Sequence, residues 1–391
     1  MSEVAQAPHS SPDGRIPQLR FPEFDGVWES RLLKDAVKIN PRSGELPDEF
    51  IYIDLESVKK GYLIKETQIN KIGAPSRAQR LLNKNDVIFQ TVRPYQKNNY
   101  FFNLDGDYVA STGYAQLRVL NSPEFLYQAL HTDRFVYDVM ARSTGTSYPA
   151  INSTDLSKIK LNLPTKPEQQ KIAAFLTAVD NKIEQLSKKQ ELLGEYKKGL
   201  MQQIFSQAIR FKADDGSEFP DWEEKKLGGV GRIRKGSQLN KSELTDTGDY
   251  PAINGGINPS GYTDKWNTGK NTITISEGGN SCGYINFITS KFWSGGHCYS
   301  IEELKGDVLN RFLFQYLKFN EHLIMRLRVG SGLPNIQKGE INNFKVNLPS
   351  LEEQTKIANL LSSIDSKIEQ VGKQLRESKQ FKKALLQQMF V

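Results

Sequence analysis

The sequence predicts an α+β protein in which two pseudo-repeated α/β domains are joined by two long, antiparallel coiled-coil helices. The prediction rests on an internal repeat, on a heptad pattern within the repeat, and on strand-like runs between its copies. Residues 161–205 align without a gap on residues 346–390, and 21 of the 45 aligned positions are identical. Repeat arrays generally need three or more units. Two copies therefore indicate two equivalent halves rather than a solenoid.

The repeated segments are predicted to be helices that pair through one hydrophobic face. Apolar residues recur at alternating steps of four and three, which is the heptad pattern of a coiled coil. Pro164 and Pro349 stand just before the two segments, where a helix tolerates proline. A helix over residues 167–208 would be about 63 Å long at 1.5 Å per residue. The expected pairing residues are Ile172, Leu176, Val179, Ile183 and Leu186 in the first helix and Ile357, Leu361, Ile364, Ile368 and Val371 in the second.

Two such helices would most simply pair antiparallel, because each then covers the apolar face of the other. The alternative is that each helix packs separately on its own domain. Lys197 and Lys382 occupy equivalent positions on the predicted pairing faces. Each lysine could extend its amine to solvent beside Tyr196 or Phe381, or it could fix the register of the pair. The sequence leaves both roles open.

The regions that precede the helices, residues 30–150 and 222–335, are predicted to be mixed α/β domains. Short apolar runs such as VIFQTV at 87–92 have the length and composition of strands. Amphipathic stretches at 124–141 and 308–327 indicate helices, and each stretch precedes a Gly-rich loop. Each half of the chain thus combines a sheet domain with a long helix.

Basic charge is concentrated in these two domains. The whole chain has a net charge of +7. Residues 71–118 hold seven Lys or Arg and three Asp, and residues 225–300 hold nine Lys or Arg and five Asp or Glu. Arginine and lysine bind phosphates and guanine, and asparagine and glutamine pair with adenine. Two basic, amide-rich windows favour a nucleic-acid partner, although ordinary solvated loops contain the same residue types.

The residues of common enzyme motifs are missing from the sequence. It contains no Walker phosphate loop, no HExxH and no CxxC, and its four histidines are scattered. Cys282 and Cys298 are too few for a disulfide framework, and His297 adds too few ligands for a structural zinc site. Both cysteines are expected to be reduced thiols of a cytoplasmic protein. No apolar run approaches the ~18 residues of a membrane span. The chain is therefore expected to be non-catalytic, without a metal site.

The duplicated motifs EQ-x-KIA, D-x-KIEQ and QQ-[IM]-F, each following an L-P turn, resemble those of the specificity subunit of type I restriction-modification systems. The resemblance covers nearly the whole chain after the N-terminal tail. It implies two target recognition domains, each recognising one half of a split, asymmetric DNA site. The boundaries it implies are a flexible tail at 1–16, recognition domains at 17–163 and 209–348, and conserved spacer helices at 164–208 and 349–391.

The resemblance also implies a division of labour among subunits. Two modification subunits would carry S-adenosylmethionine and methylate adenine, and restriction subunits would use ATP and Mg and cleave the DNA. This chain would hold no cofactor of its own. The predicted DNA contacts are Arg77, Arg80, Arg93, Tyr95, Lys97 and Asn98 in the first domain and Arg232, Arg234, Lys235, Asn254, Lys265 and Lys270 in the second.

Two other classes of protein compete with this interpretation. A coiled-coil scaffold with two small-ligand or glycan-binding domains would explain the duplication and the aromatic residues, but not the basic windows. A self-sufficient DNA methyltransferase is disfavoured, because its cofactor and catalytic motifs are missing from the sequence.

Overall fold

The computed structural model describes residues 15–330, 332 and 334–391, and it divides the chain into two compact units. The first unit is Met1–Ser187 with Lys373–Val391, and the second is Lys188–Gly372. Most of the predicted N-terminal tail lies outside the described residues. Each unit contains one sheet domain and one half of each long helix. The unit boundaries therefore fall inside the helices, and the domain boundaries inferred from sequence stay predictions.

The first unit is a mixed α/β domain. Its strands are β1 (Glu29–Leu32), β2 (Val37–Ile39), β3 (Glu49–Ile53), β4 (Val58–Lys59), β5 (Tyr62–Leu63), β6 (Thr67–Asn70), β7 (Ala78–Leu81), β8 (Asp86–Gln90), β9 (Tyr100–Phe101), β10 (Tyr108–Ser111), β11 (Tyr114–Val119) and β12 (Lys160–Leu163). Its helices are α1 (Leu33–Ala36), α2 (Pro123–Ala129), α3 (Asp133–Ala141) and α4 (Ser153–Ser157). The long helix α5 (Lys166–Phe205) follows and continues into the second unit.

Two four-stranded sheets form the centre of the first unit. Their strand orders are β6-β3-β10-β7 and β2-β11-β8-β9, and β1 pairs separately with β12. Every residue of β8 is buried, as expected for a strand covered on both faces. Val87 and Phe89 pack toward α2 and α3, whereas Ile88 belongs to a second apolar cluster with Phe102 and Tyr114. The apolar run at 87–92 predicted this central strand.

The second unit repeats this plan. Its strands are β13 (Glu223–Lys226), β14 (Arg232–Lys235), β15 (Tyr250–Ile253), β16 (Gly261–Thr263), β17 (Thr272–Ser276), β18 (Ile285–Ile288), β19 (Trp293–Ser294), β20 (Cys298–Glu302) and β21 (Lys345–Leu348). Its helices are α6 (Leu227–Val230), α7 (Asn310–Phe319), α8 (Glu321–Arg326), α9 (Lys338–Asn343) and the long α10 (Leu351–Gln388), which ends in the first unit. The sheets run β14-β20-β17-β18 and β16-β15-β19, and β13 pairs with β21.

Each amphipathic stretch predicted from sequence forms two helices rather than one. In the first unit, α2 ends at Ala129, and Thr132 caps the start of α3, because its hydroxyl accepts a hydrogen bond from Phe135 N. In the second unit, Asn320 stands between α7 and α8. Apolar residues recur on both sides of each interruption. The periodicity of the sequence therefore does not show where one helix ends and the next begins.

Within each unit, the segments of α5 and α10 pack antiparallel. In the first unit, Ile172 and Leu176 share a cluster with Leu385 and Met389. In the second, the shared cluster includes Met201 and Ile204 of α5 with Ile357 and Leu361 of α10. In both units, the start of one long helix packs against the end of the other, so the two helices run in opposite directions. Of the other predicted pairing residues, Ile183, Leu186, Ile364 and Val371 are buried, whereas Val179 and Ile368 are partly buried.

The two pairing-face lysines form ion pairs between the helices. Lys197 Nζ lies 2.7 Å from Asp365 Oδ1, and Lys382 Nζ lies 2.6 Å from Asp180 Oδ1. These contacts favour the register role over the purely solvent-directed one. Each aspartate also accepts a hydrogen bond from a glutamine of its sheet domain, from Gln128 at 2.8 Å for Asp180 and from Gln315 at 2.7 Å for Asp365. The same constellation thus fixes helix register and docks a domain in each unit.

A buried glutamate anchors the start of each long helix. In the first unit, Glu168 is 0% exposed and accepts two hydrogen bonds from Arg20 at 2.7 Å and one from Trp28 Nε1 at 3.3 Å. Its carboxylate also lies in the first turn of α5, where negative charge is favourable. In the second unit, Glu353 is bound in the same way by Arg210 and Trp222.

Glu168→Ala is expected to lower the free energy of unfolding of the chain by about 3 kcal/mol, because it removes the carboxylate that pairs with the guanidinium of Arg20 and accepts from the indole N–H of Trp28. Urea titration followed by circular dichroism measures the change. Glu29→Ala removes an exposed ion pair with Arg31 and is expected to leave the stability nearly unchanged, because solvent screens the pair. Equal losses in the two variants would contradict the anchoring role.

We expect each of the single substitutions Lys197→Asp and Asp365→Lys to lower the stability of the chain. The double variant, which exchanges the two charges, should recover part of that loss. Because the two groups are in direct contact, a double-mutant cycle should give a coupling energy of about 1 kcal/mol. The exposed pair Lys188–Glu191 within α5 serves as the control and should couple more weakly, because solvent screens it. Additive effects at Lys197 and Asp365 would show that this contact does not fix the register.

Candidate nucleic-acid interface

In the first unit, the residues after β8 pair with a Gly-rich loop. This first loop pair consists of Thr91–Arg93 and Thr144–Ile151. Arg93 N donates to Pro149 O at 2.7 Å, and Ile151 N donates to Thr91 O at 3.0 Å. Gly145 has a φ of +92°, which a side chain rarely adopts. The backbone of this loop pair is therefore fixed by its own hydrogen bonds.

The second unit has the same backbone arrangement with different side chains. The second loop pair consists of Glu277–Gly279, after β17, and Val329–Ile336, of which Ser331 and Leu333 lie outside the described residues. Gly279 N donates to Pro334 O at 3.0 Å, and Ile336 N donates to Glu277 O at 2.8 Å. Gly330 has a φ of +97°, matching Gly145. The two units thus share one backbone frame that carries two different sets of side chains.

Arg93 is the most prominent side chain of the first loop pair. Its backbone is left-handed, with φ at 55°, although the equivalent position in the second unit is Gly279. A non-glycine residue in that conformation costs about 1–2 kcal/mol. Its guanidinium lies 4.0 Å from the ring centroid of Tyr148, which is 65% exposed. Arg93 is itself partly buried, and its Nε has no hydrogen-bond partner within the described residues. A strained backbone that carries a stacked cation with an unsatisfied donor is typical of a ligand-contacting residue.

Other predicted contacts of the first unit also carry unpaired groups. Arg77 is exposed and Arg80 is half-buried, and neither forms an ion pair with any residue in the described part of the chain. Burial lowers the pKa of Arg80, as desolvation of a cation does. Tyr95 is 49% exposed. These groups could accept a phosphate or a base as a partner.

Two predicted contacts of the first unit hold the domain together. Lys97 Nζ lies 2.7 Å from Asp133 Oδ1 and donates to His131 O at 2.8 Å. Asn98 Oδ1 accepts a hydrogen bond from Lys60 N at 2.9 Å. Both side chains have partners within the unit. A role in DNA contact remains a prediction for them, as it does for the others.

The predicted basic residues of the second unit are mostly paired with carboxylates. Arg232 contacts Glu303 at 2.9 Å, Arg234 contacts Glu302 at 2.9 Å, and Lys265 contacts Glu243 at 2.6 Å. These pairs reduce the positive potential that the charge count indicates, since each cation is matched locally.

The remaining predicted residues of the second unit differ in their surroundings. Lys235 Nζ lies 2.6 Å from the buried Glu277. Asn254 Oδ1 accepts a hydrogen bond from the backbone N of His297 at 3.1 Å. Lys270 is exposed and has no ion pair within residues 15–330, 332 and 334–391. Lys270 is therefore the free cation among the six residues predicted here.

Sequence reasoning missed Tyr148 and Glu277 of the loop pairs and His297, which lies beside the second loop pair. Tyr148 stands in the Gly-rich segment TGTSYPAIN, whose repeat in the second half was the available signal. Glu277 follows a buried strand, and His297 follows two glycines, so neither belongs to a recognisable motif.

The described residues contain no group of side chains suited to a metal ion. Cys282 and Cys298 are both free and buried. Burial raises the pKa of Cys298 to about 11, which keeps it protonated at neutral pH and unreactive. The chemistry of the two loop pairs is that of binding: cations, amides and aromatic rings on a fixed backbone.

Two sheet domains that present different side chains on equivalent loop backbones, each packed on paired long helices, define a class of two-domain protein. The chain matches the model of the type I restriction modification DNA specificity domain twice, over residues 26–193 and 220–377. The two matches cover most of the sequence, and the chain belongs to this family.

Individual relatives agree with the family match. The chain is 28% identical over 278 residues to the type I restriction enzyme MjaVIII specificity subunit of Methanocaldococcus jannaschii, an alignment that covers 63% of this chain and 64% of that protein. It is 26% identical over 208 residues to the HindI specificity subunit of Haemophilus influenzae, covering 51% and 42%. The chain spans only 46%, 60% and 40% of the length of three further relatives.

Solved structures share the fold. The S subunit of a type I restriction-modification system from M. genitalium superposes with a TM-score of 0.70 at 20% identity, covering 96% of this chain and 99% of that one. A chain from a structure of type I R-M complex assembly gives a TM-score of 0.54 at 24% identity, covering 92% and 96%. At these identities, the likeness establishes the architecture alone.

Proposed function

We propose that this chain is the DNA sequence-specificity subunit of a type I restriction-modification complex and that it binds a bipartite, asymmetric DNA target. The observation that carries the proposal is the pair of equivalent loop pairs, which share a backbone frame and differ in side chains. Arg93 and Tyr148 occupy the frame in the first unit, and Glu277 and Gly279 occupy it in the second. Because the side chains at equivalent positions differ between the two units, each unit would contact a different DNA sequence.

A split target makes physical sense for domains of this size. A good bidentate side-chain contact discriminates between bases by about 1–3 kcal/mol, so a single domain that contacts a few bases is weakly selective. Joining two such domains in one chain makes the second binding event intramolecular and increases the overall affinity without new contacts. The coiled-coil scaffold for small ligands or glycans does not account for the unpaired cations of the first unit.

The proposed partners follow from the family. Two modification subunits would bring S-adenosylmethionine and methylate adenine, and restriction subunits would bring ATP and Mg and cleave DNA. On this proposal, the chain itself catalyses neither reaction and selects the sequence for both. No helix within the described residues is long and apolar enough to cross a membrane. The proposed site of action is the cytoplasm, where the DNA lies.

We expect Arg93→Ala to weaken the binding of target duplex by the complex of this chain and its modification subunits by about tenfold or more. The substitution removes a cation that forms no ion pair within the described residues. Fluorescence anisotropy at fixed salt measures the affinity. Arg31→Ala, which breaks an exposed pair with Glu29 outside the loop pairs, is the matched control and should bind as the parent does. Unchanged affinity for Arg93→Ala would remove this residue from the interface.

Replacing residues 30–150 with the corresponding region of another family member is expected to change one half of the methylated site and leave the other half intact. The reason is that each unit holds a complete loop pair. Sequencing that detects N6-methyladenine, in cells producing the chimera with the modification subunit, measures the outcome. A change in both halves, or in neither, would refute the assignment of one half-site to each domain.

A further inference from the structure

A buried carboxylate in the second loop pair has an unsatisfied oxygen. Glu277 is 5% exposed, and its Oε1 accepts hydrogen bonds from Lys235 Nζ at 2.6 Å and Tyr299 OH at 2.9 Å. Its Oε2 is also buried and has no hydrogen-bond partner in the described chain. An unmatched carboxylate oxygen inside a protein is costly, and such groups call for a functional explanation.

The imidazole of His297 faces this oxygen. Its Nδ1 lies 3.5 Å from Glu277 Oε2, which is too long for a hydrogen bond but within the reach of a small rotation. The side chain of His297 is 65% exposed, so it has room to rotate. When Nδ1–H points at the carboxylate, Nε2 is the ring nitrogen left for an external partner.

The backbone that carries His297 is fixed on both sides. His297 O accepts a hydrogen bond from Glu277 N at 2.9 Å, and His297 N donates to Asn254 Oδ1 at 3.1 Å. Gly295 precedes it at a point where a Cβ would lie 2.5 Å from that same Asn254 oxygen. The histidine is therefore held beside the second loop pair, the frame that presents Arg93 and Tyr148 in the first unit.

We propose that His297, positioned by the buried Glu277, is a contact of the second unit to a DNA phosphate, with Nδ1–H donating to the carboxylate and Nε2–H donating to the phosphate. The inference rests on the proposed DNA-binding function and deepens it. Glu277 is a positioning residue, because it acts through the imidazole.

Charge favours phosphate over a base edge. With a neutral imidazole, Lys235 and Glu277 cancel. A protonated imidazole gives the cluster a net positive charge, which attracts a phosphate. The titratable or charged groups that surround it are Lys235 at the end of β14, Tyr299 and Cys298 on β20, Cys282 with Sγ 3.1 Å from Glu277 O, and Arg328 near that thiol. The site therefore binds phosphate more tightly when His297 holds two protons.

The test uses the full chain in complex with its modification subunits and a duplex that carries the mapped methylation motif. DNA affinity is measured from pH 6 to pH 8, where imidazoles titrate. The affinity of the parent complex should fall about tenfold more over this range than that of the His297→Asn complex, because binding takes up a proton. The affinity falls as the pH rises because the protonated form of the imidazole is the one that binds phosphate. At pH 6, His297→Asn should also reduce the salt dependence by about one phosphate contact.

Two further variants separate positioning from general damage. Glu277→Gln retains the shape of the side chain and should lose the same pH dependence, with its fold checked by circular dichroism. His322→Ala removes another exposed histidine of the same unit and should change nothing. His131 of the first unit does not interfere, since its enclosure lowers its pKa to about 4 and keeps it neutral over this range.

The outcomes are distinguishable. If the parent complex does not bind the duplex, the proposed function fails. If it binds and His297→Asn retains the parental affinity, pH profile and salt dependence, only the phosphate contact is refuted. A relaxed base preference in the methylation motif without a change in salt dependence would assign His297 to a base edge and would also overturn the phosphate contact.

Discussion

The antiparallel packing of α5 against α10 is the constraint on which each unit depends. Each unit closes around a helix pair whose register is fixed by a lysine–aspartate contact, Lys382 with Asp180 in the first and Lys197 with Asp365 in the second. The aspartates also bind a glutamine of the adjoining sheet domain. The two long helices are copies of one sequence, and each contributes to both units. Helix α5 supplies Asp180 to the first unit and Lys197 to the second, and α10 supplies Lys382 to the first unit and Asp365 to the second.

The buried arginine–glutamate–tryptophan clusters extend this logic to the domain entrances. Glu168 and Glu353 occupy equivalent first turns of the long helices, and each binds an arginine and an indole contributed by the segment that leads into its own sheet domain. A buried charge of this kind tolerates little displacement, since its desolvation is offset only by well-placed donors. Each cluster therefore fixes the entry segment of a sheet domain against the start of the long helix that follows that domain.

The two loop pairs share a backbone frame and differ in side chains, and on the proposed function this difference would let one fold recognise two different half-sites. The first frame holds Arg93 over Tyr148, and the second holds Glu277 beneath His297. The two arrangements offer a stacked guanidinium and an imidazole supported by a carboxylate. Both present nitrogen atoms on a fixed backbone, and they differ in geometry.

The sequence predicted the features that carry a period or a repeat. The heptad pattern predicted both long helices and placed Lys197 and Lys382 on their pairing faces. The antiparallel pairing followed because each helix covers the apolar face of the other. The short apolar run at 87–92 predicted a central strand. Ion pairing could not be predicted. Lys97 meets Asp133 across 36 residues and Arg234 meets Glu302 across 68, and a charge count cannot show such partners. Tyr148 and His297 are single loop residues, and only the folded backbone shows their neighbours.

The central claim is that each unit recognises its own half of one DNA site. Genome-wide mapping of methylated adenines, in cells that produce this chain with its modification and restriction partners, tests it most directly. The account predicts one split, asymmetric motif with an unread gap and a methylated adenine in each half. A continuous or palindromic motif, or no methylation that depends on this chain, would contradict it.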